Sequence, residues 1–136
     1  MPTVQINLWG VIAAAAFAMV IGALWYSDLL FGRQWGKLVG KKREAMMKRA
    51  GQAYLLTAIL WLLAGYVLAI MVQVVAADQW MEGAVTAFYL WTGFVFSVGL
   101  IHTLFDGRSK RLFAINAGYT LISLLGMGII LVLLPN

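Results

Sequence analysis

The sequence predicts an all-α membrane protein with four transmembrane helices, and three observations support this prediction. Of its 136 residues, 63% are hydrophobic and only 11% are charged, whereas a soluble domain has about 45–50% apolar and about 25% charged residues. The apolar residues form four long runs, and the charged residues fall between these runs. Since a chain of this size cannot bury so much apolar surface in its own core, we expect lipid to be its solvent.

Four stretches are long enough to cross about 30 Å of hydrocarbon, which requires roughly 20 helical residues. They are residues 6–26, 54–77, 83–105 and 112–134, and none contains an acidic or basic residue. This is expected because a charged side chain at the bilayer centre is costly. Residues 1–136 are therefore predicted to form a single integral membrane domain.

The basic residues are concentrated in two of the three connections between spans. The first connection contains Arg33, Lys37, Lys41, Lys42, Arg43, Lys48 and Arg49, and the third contains Arg108, Lys110 and Arg111. The positive-inside rule places both connections in the cytoplasm and both termini outside. A cleaved signal peptide would carry basic residues before its apolar core rather than after it, so we expect the first span to be retained.

Composition also excludes several classes of function. The chain has no cysteine, and its one histidine is His102, whereas zinc and copper sites use several converging imidazole or thiolate ligands. No metal or other cofactor is predicted. The net charge of +5 is confined to the connections, which indicates contact with anionic lipid rather than with nucleic acid.

A second kind of helix is predicted directly after the first span. Within residues 29–49, apolar side chains recur at helical spacing and basic side chains occupy the opposite side, a pattern typical of a helix lying flat in the membrane interface. We expect this helix at the cytoplasmic surface, where it either sets orientation only or contributes to gating or partner docking. The predicted lipid-interface residues are Trp25, Phe31, Arg33, Trp35, Lys37 and Leu38.

Small residues predict where helices pack closely, because they let two backbones approach each other in a membrane. On the third span they lie on two nearly opposite sides, which predicts that this helix is central or packs once within the chain and once against another subunit. The predicted packing residues are Ala15, Ala18 and Gly22 on the first span and Gly93, Ser97 and Gly99 on the third.

Polar residues inside the spans predict a cluster near the cytoplasmic ends of the helices. His102 comes one turn before Asp106, and Asn116 follows Arg111 by five residues, so both lie about 6–8 Å below the boundary at 1.5 Å rise per residue. Because a short loop makes the third and fourth spans antiparallel neighbours, a hydrogen bond between His102 and Asn116 is possible.

Tyr26 and Tyr119 complete the predicted cluster with His102 and Asn116. One interpretation is a small polar pocket that opens inward. The other is that these polar groups satisfy one another between packed helices, as polar side chains in membranes commonly do.

Two segments resemble a known family. They are GALWYSDLLFGRQWGKL at 22–38 and LFDGRSKRLFAINAGYTLISLLGMG at 104–128, and they resemble the bacterial membrane proteins grouped as domain of unknown function seventeen sixty-one. The resemblance implies four membrane helices in a bacterial inner membrane and carries no established activity. In the family pattern proline follows Trp-Tyr-Ser, whereas Asp28 stands there in this chain and removes the rigid stop that proline would impose.

Three functions remain open on the sequence alone. The size, topology and inward polar cluster favour transport of a small solute or ion, or a channel, working as a homo-oligomer. An accessory or structural subunit of a membrane complex, with a membrane protein as its partner, is the first alternative. The second is a small membrane enzyme that uses His102 as a general acid or base, although no nucleophile or carboxylate pair accompanies it.

Overall fold

The structure, a computed structural model, describes residues 3–40 and 48–134 and is all-helical, with short turns, in those ranges. Four of the five helices within these ranges are long and apolar enough to cross a membrane. They are α1 (Leu8–Trp25), α3 (Ala50–Val74), α4 (Trp80–Asp106) and α5 (Lys110–Leu133), and the short helix α2 spans Gly32–Val39. The predicted all-α class with four membrane helices is confirmed.

The ends of the helices differ from the predicted span ends by a few residues. Helix α3 begins at Ala50 rather than at residue 54, and α4 begins at Trp80 rather than at residue 83. Hydropathy marks the apolar run, whereas a helix continues as long as its backbone groups find partners. At the start of α4, the Glu82 carboxylate accepts the backbone N–H groups of Asp78 at 2.8 Å and Gln79 at 3.2 Å.

The predicted interfacial helix at 29–49 is shorter in the structure, where α2 covers Gly32–Val39. Residues 41–47 of that prediction lie outside the described residues. The chain passes from α1 to α2 through a tight turn, in which the Gly32 N–H donates to the Ser27 carbonyl at 2.9 Å. A Cβ atom on Gly32 would lie 2.5 Å from the carbonyl oxygen of Tyr26, and Asp28 is exposed in the turn. Backbone hydrogen bonds, not a proline, therefore end α1.

Helix α5 occupies the centre of the bundle. It contacts α1, α3 and α4, while α1 also packs against α3. In the most apolar stretch of α4, 11% of the residues are buried inside the bundle, whereas 28% are buried in the corresponding stretch of each of the other three spans. Of the two alternatives predicted for the third span, a central position is not found in the described chain, and packing against another subunit stays a prediction. Helix α5 buries residues on several sides, including Ile115, Ser123 and Gly128, because three helices pack around it.

The contacts define two ends of the bundle. At one end, here called the terminal end, Gln5 meets Gln73 and Asn7 meets Leu134. The other end, here called the basic end, carries α2 and the first turns of α3 and α5, with Lys48, Arg49, Lys110 and Arg111. Thus α1 and α4 run from the terminal end to the basic end, and α3 and α5 run back, parallel to each other.

Helix α4 packs tightly against α5 only in its first part. A Cβ atom added to Gly83 would overlap the Gly128 carbonyl oxygen, and one added to Gly128 would overlap that of Gly83. Past this crossing, α4 widens into a π-helical segment at Trp91–Phe96, and its last part, Ser97–Asp106, makes fewer contacts with α5. The Ser97 hydroxyl donates to the Thr92 carbonyl at 2.7 Å, which satisfies a carbonyl in the widened turn.

Candidate functional site

The candidate site is an opening between α3 and α4 at the basic end, here called the gap. Helices α3 and α4 meet mainly through Trp80–Leu90, close to the terminal end. The Ser97–Asp106 part of α4 does not pack closely on α3. Helices α3 and α4 are therefore in contact near the terminal end and separate towards the basic end.

The amide of Asn116 lies at the base of the gap. One turn further along α5, Tyr119 contacts Trp61 of α3, and Thr120 contacts Trp91 of α4. Residues three and four positions apart share one helix face, so Asn116 points between the two directions taken by Tyr119 and Thr120. Consistent with this position, Asn116 is exposed.

Tyr119 anchors the side of the gap formed by α3 and α1. Its hydroxyl accepts a hydrogen bond from Trp61 Nε1 at 2.8 Å and donates to the Ala18 carbonyl at 3.3 Å. A Cβ atom on Gly22 would lie only 2.9 Å from this hydroxyl, so glycine is needed there for the tyrosine to reach the α1 backbone. One phenol therefore joins three helices.

Tyr26 lies between Asn116 and the interfacial helix. Its hydroxyl donates to Asn116 Oδ1 at 2.5 Å, and its ring makes edge contacts with Trp35 at 5.5 Å and with Tyr119 at 5.4 Å between ring centroids. Edge-to-face aromatic pairs of this kind are typically worth about 0.5–1.5 kcal/mol beyond their buried area. Helix α2 is therefore linked to the gap through Trp35 and Tyr26.

Two indole groups hold the same stretch of α5 from either side. Trp25 Nε1 donates to the Ile115 carbonyl at 2.9 Å. Trp91 Nε1 donates to the Ala117 carbonyl at 3.2 Å and to Thr120 Oγ1 at 3.1 Å. These bonds give the indole N–H groups partners inside the bundle, where an unpaired donor would be costly.

The gap closes towards the terminal end of α5. Ser123 and Met127 are both 0% exposed, and Met127 packs against Gly65 of α3. The Ser123 hydroxyl makes no hydrogen bond in the described residues. The polar groups of the gap therefore do not continue as an open path through the single chain.

The hydrogen bond that their depths allow between His102 and Asn116 is not formed in the structure, where the Asn116 carbonyl oxygen accepts from Tyr26. His102 is exposed on α4, and within residues 3–40 and 48–134 no hydrogen bond to its side chain is found. Neighbouring Asp106 approaches Arg108, with 3.6 Å between Oδ2 and Nε. Of the predicted polar cluster, Tyr26, Asn116 and Tyr119 come together, and His102 stands apart from their hydrogen bonds.

The predicted packing residues divide into two groups. Ala15 and Ala18 are buried, Gly22 lies against Tyr119, and a Cβ atom on Gly99 would lie 2.8 Å from Phe113. Gly93 and Ser97 are exposed, and nothing lies within 4 Å of a Cβ atom built on Gly93. Within the described chain, the first group faces other helices and the second faces outward.

The predicted lipid-interface residues lie on and beside α2. Phe31, Trp35 and Leu38 are half-buried, whereas Arg33 and Lys37 are exposed. Trp25, the sixth residue of the set, stacks obliquely on Phe31, with 4.8 Å between ring centroids. The distribution of exposed and half-buried side chains matches the predicted amphipathic pattern of α2.

A polar contact at the terminal end was not predicted from the sequence. The Gln5 N–H donates to Gln73 Oε1 at 3.0 Å, the Gln73 side-chain amide donates back to the Gln5 carbonyl, and Asn7 Nδ2 donates to the Leu134 carbonyl at 3.1 Å. A cavity of about 390 Å³ adjoins these groups. The sequence feature that could have indicated this contact is Gln73, an amide side chain within an otherwise apolar run.

The geometry can support polar contact with a ligand in the gap. No three His, Cys, Asp or Glu side chains converge within the described ranges. The gap offers one exposed amide, hydroxyl groups and aromatic faces, all on helices that are held by buried contacts on their other sides.

Comparison with known proteins places the chain in a family. No curated protein and no solved structure shows significant similarity to it. The family model described as a protein of unknown function, DUF1761, matches residues 9–132, which include all four membrane helices and the residues of the gap. The chain therefore belongs to the DUF1761 family.

Proposed function

We propose that this integral membrane protein transports a small solute or an ion, or forms a channel for one, and that the gap is where the solute makes polar contact. The observation that carries the proposal is the exposed Asn116 amide at the base of the gap, where α3 and α4 separate. A polar side chain within a membrane span is costly unless it has a partner. Its place on a helix that contacts all the other membrane helices is where a solute could make polar contact.

Transport would require more than one chain. Ser123 and Met127 block the way beyond the gap within a single bundle, so a complete path would have to form between copies. The outward face of α4, with Gly93 and Ser97, is our proposed contact surface because small residues permit close helix approach. A homo-oligomer is thus part of the proposal.

The absence of cysteine from the chain allows a direct test of this surface. Ser97→Cys should yield disulfide-linked dimers when membranes are treated with a mild oxidant. Leu60→Cys, at an exposed position on α3, serves as the control and should remain monomeric. Equal cross-linking of the two variants, or none in Ser97→Cys, would argue against α4 as the contact.

The membrane and the orientation are also proposals. We place the protein in the bacterial inner membrane, with the basic end in the cytoplasm, the termini outside and α2 on anionic lipid. Alkaline phosphatase fused after the last residue should be active, and a fluorescent protein fused there should not fluoresce. Fusions made after Gly40 should behave in the opposite way. If phosphatase were active after Gly40 and the fluorescent protein fluoresced after the last residue, the basic end would be extracytoplasmic.

Transport itself can be measured in liposomes by stopped-flow light scattering, which reports the permeation of salts and small neutral solutes. We expect faster volume recovery than in protein-free liposomes for at least one solute, and a slower rate with Asn116→Leu. Tyr89→Phe is the control, since Tyr89 is 70% exposed on α4, away from the gap. Unchanged permeation with wild-type protein across ions and neutral solutes would refute the proposal.

The alternative is a non-catalytic accessory subunit of a membrane complex. The low burial of α4 favours this alternative as well, because a second membrane protein could cover the same surface. Purification in mild detergent distinguishes the two cases. A single stoichiometric partner in place of a homo-oligomer would support the accessory role.

A further inference from the structure

The cavity at the terminal end of the bundle has a volume of about 390 Å³ and an apolar floor. Ala69 and Val72 of α3 and Leu131 and Val132 of α5 line it, and each of these four residues is at most 9% exposed. Binding sites for small molecules typically have volumes of about 300–1,000 Å³. The cavity is therefore large enough for a small organic molecule, and its floor is part of the buried core.

The rim of the cavity carries uncharged hydrogen-bonding groups. The side chains of Gln73 and Asn7 lie there, together with Gln5 and the exposed Thr3. The bonds of Gln73 to the main chain of Gln5, and of Asn7 to the Leu134 carbonyl, hold the segment before α1 against the ends of α3 and α5. Because an amide oxygen can accept two hydrogen bonds and an amide NH₂ group can donate two, a paired amide can still contact a ligand.

The electrostatics of the cavity disfavour ions of either sign. None of the described residues that line it is charged, so a bound cation would lack a carboxylate partner, and an unpaired ion is costly to remove from water. An anion would lie at the carboxyl ends of α3 and α5, which carry negative partial charge. Neither helix has a basic residue in its last turn to offset that charge. The cavity therefore selects an uncharged ligand.

The apolar floor favours a ligand that also has an apolar group. A buried water typically makes about three hydrogen bonds, and the side chains of Val72 and Leu131 offer it none. Replacing poorly held water by an apolar group increases affinity. A ligand that lies on this floor and reaches the Gln73 amide at the rim would use both parts of the cavity.

We propose that the cavity is a binding site for a small uncharged molecule in which an apolar group is joined to an amide or a hydroxyl group. The site lies at the opposite end of the bundle from the gap. It is an addition to the proposed function, and it depends neither on transport nor on Asn116.

Single thiols can test access to the cavity, because the chain has no cysteine. Ala69→Cys places a thiol at the floor, and Asp78→Cys places one in the exposed turn between α3 and α4 as the matched control. The full chain in detergent is treated with uncharged N-ethylmaleimide, an anionic methanethiosulfonate or a cationic one, and the intact mass reports modification. Relative to the rates for Asp78→Cys, the uncharged reagent should modify Ala69→Cys at least about tenfold faster than either charged reagent.

Three probes of similar shape test binding itself: uncharged isobutyramide, anionic isobutyrate and cationic isobutylammonium. We expect isobutyramide to slow the maleimide reaction of Ala69→Cys about twofold at half occupancy. The two charged probes at the same concentration should leave the rate unchanged, and none of the three should protect Asp78→Cys.

Four results would overturn the proposal: no reaction of Ala69→Cys with any reagent, equal relative rates for the three reagents, equal protection by the three probes, or no protection by isobutyramide. The unfolding temperature shows whether Ala69→Cys retains the fold. If it does not, Ala77→Cys, on another wall of the same cavity, takes its place with the same expected results.

Discussion

The two ends of the bundle are held together by different kinds of contact. At the terminal end, backbone meets backbone at Gly83 and Gly128, and Gln73 pairs with the main chain of Gln5. At the basic end, large aromatic and polar side chains such as Tyr26 and Tyr119 make the connections. Small residues bring helices into direct contact, whereas large side chains hold them apart. This difference explains why α4 meets the backbone of α5 at Gly83 and only a side chain of α5, Phe113, at Gly99.

The largest expected effect comes from blocking the backbone contact at the terminal end. Gly83→Leu would force its side chain into the Gly128 carbonyl and should destabilise the protein by about 1–3 kcal/mol or more. Thermal unfolding in detergent measures the effect. The control is Gly51→Ala on α3, where an added Cβ atom meets open space, and this change should leave the unfolding temperature almost unchanged. Similar unfolding temperatures for both variants would contradict the proposed importance of this contact.

A smaller effect is expected at the basic end, and the two tyrosines should differ. Tyr119→Phe leaves the Trp61 N–H without its acceptor inside the bundle and should cost about 1–3 kcal/mol. Tyr26→Phe should cost less, because its partner Asn116 is exposed and can bond to water or lipid. Unfolding temperatures and tryptophan emission in lipid measure the effects of both substitutions. A larger loss for Tyr26→Phe would show that the gap is not open to solvent or lipid.

The contact between Gln5 and Gln73 should have a modest effect on overall stability and a clear local one. Gln73→Leu removes both hydrogen bonds to Gln5, each typically worth about 0.5–1.5 kcal/mol. Hydrogen exchange should accelerate in residues 3–9. Gln5→Ala retains both bonds, since Gln5 contributes only backbone groups to them, and should have the smaller effect. Matching exchange rates in the two variants would assign the stability of this region to other contacts.

The smallest effect on stability is expected on α2, which has few contacts with the bundle. If it lies flat in the interface, spin labels at Phe31 and Leu38 should report lipid, and labels at Gln34 and Lys37 should report water. In the structure, Phe31 and Leu38 are half-buried, whereas Gln34 and Lys37 are exposed. Water contact at all four positions would show that α2 does not lie on the membrane.

Much of the fold could be predicted because it depends on local composition. The four apolar runs and the amphipathic pattern of Phe31, Trp35 and Leu38 correctly located four membrane helices and α2. The polar cluster was predicted in part: Tyr26, Asn116 and Tyr119 meet, but His102 does not join them. Depth along a helix follows from its rise per residue, whereas the rotation of α4 about its axis depends on packing, including the contact between Gly99 and Phe113.

The sequence by itself determined that the chain has four membrane helices and where its charges lie. Those properties depend on transfer of side chains from water to lipid, which is a property of each segment alone. Only the tertiary structure decided that α5 rather than α4 is central and that Asn116 bonds to Tyr26. It also decided that the bundle opens between α3 and α4. These features depend on which helix faces meet, and in a membrane that choice rests on shape and specific hydrogen bonds, because lipid is as apolar as the side chains it touches.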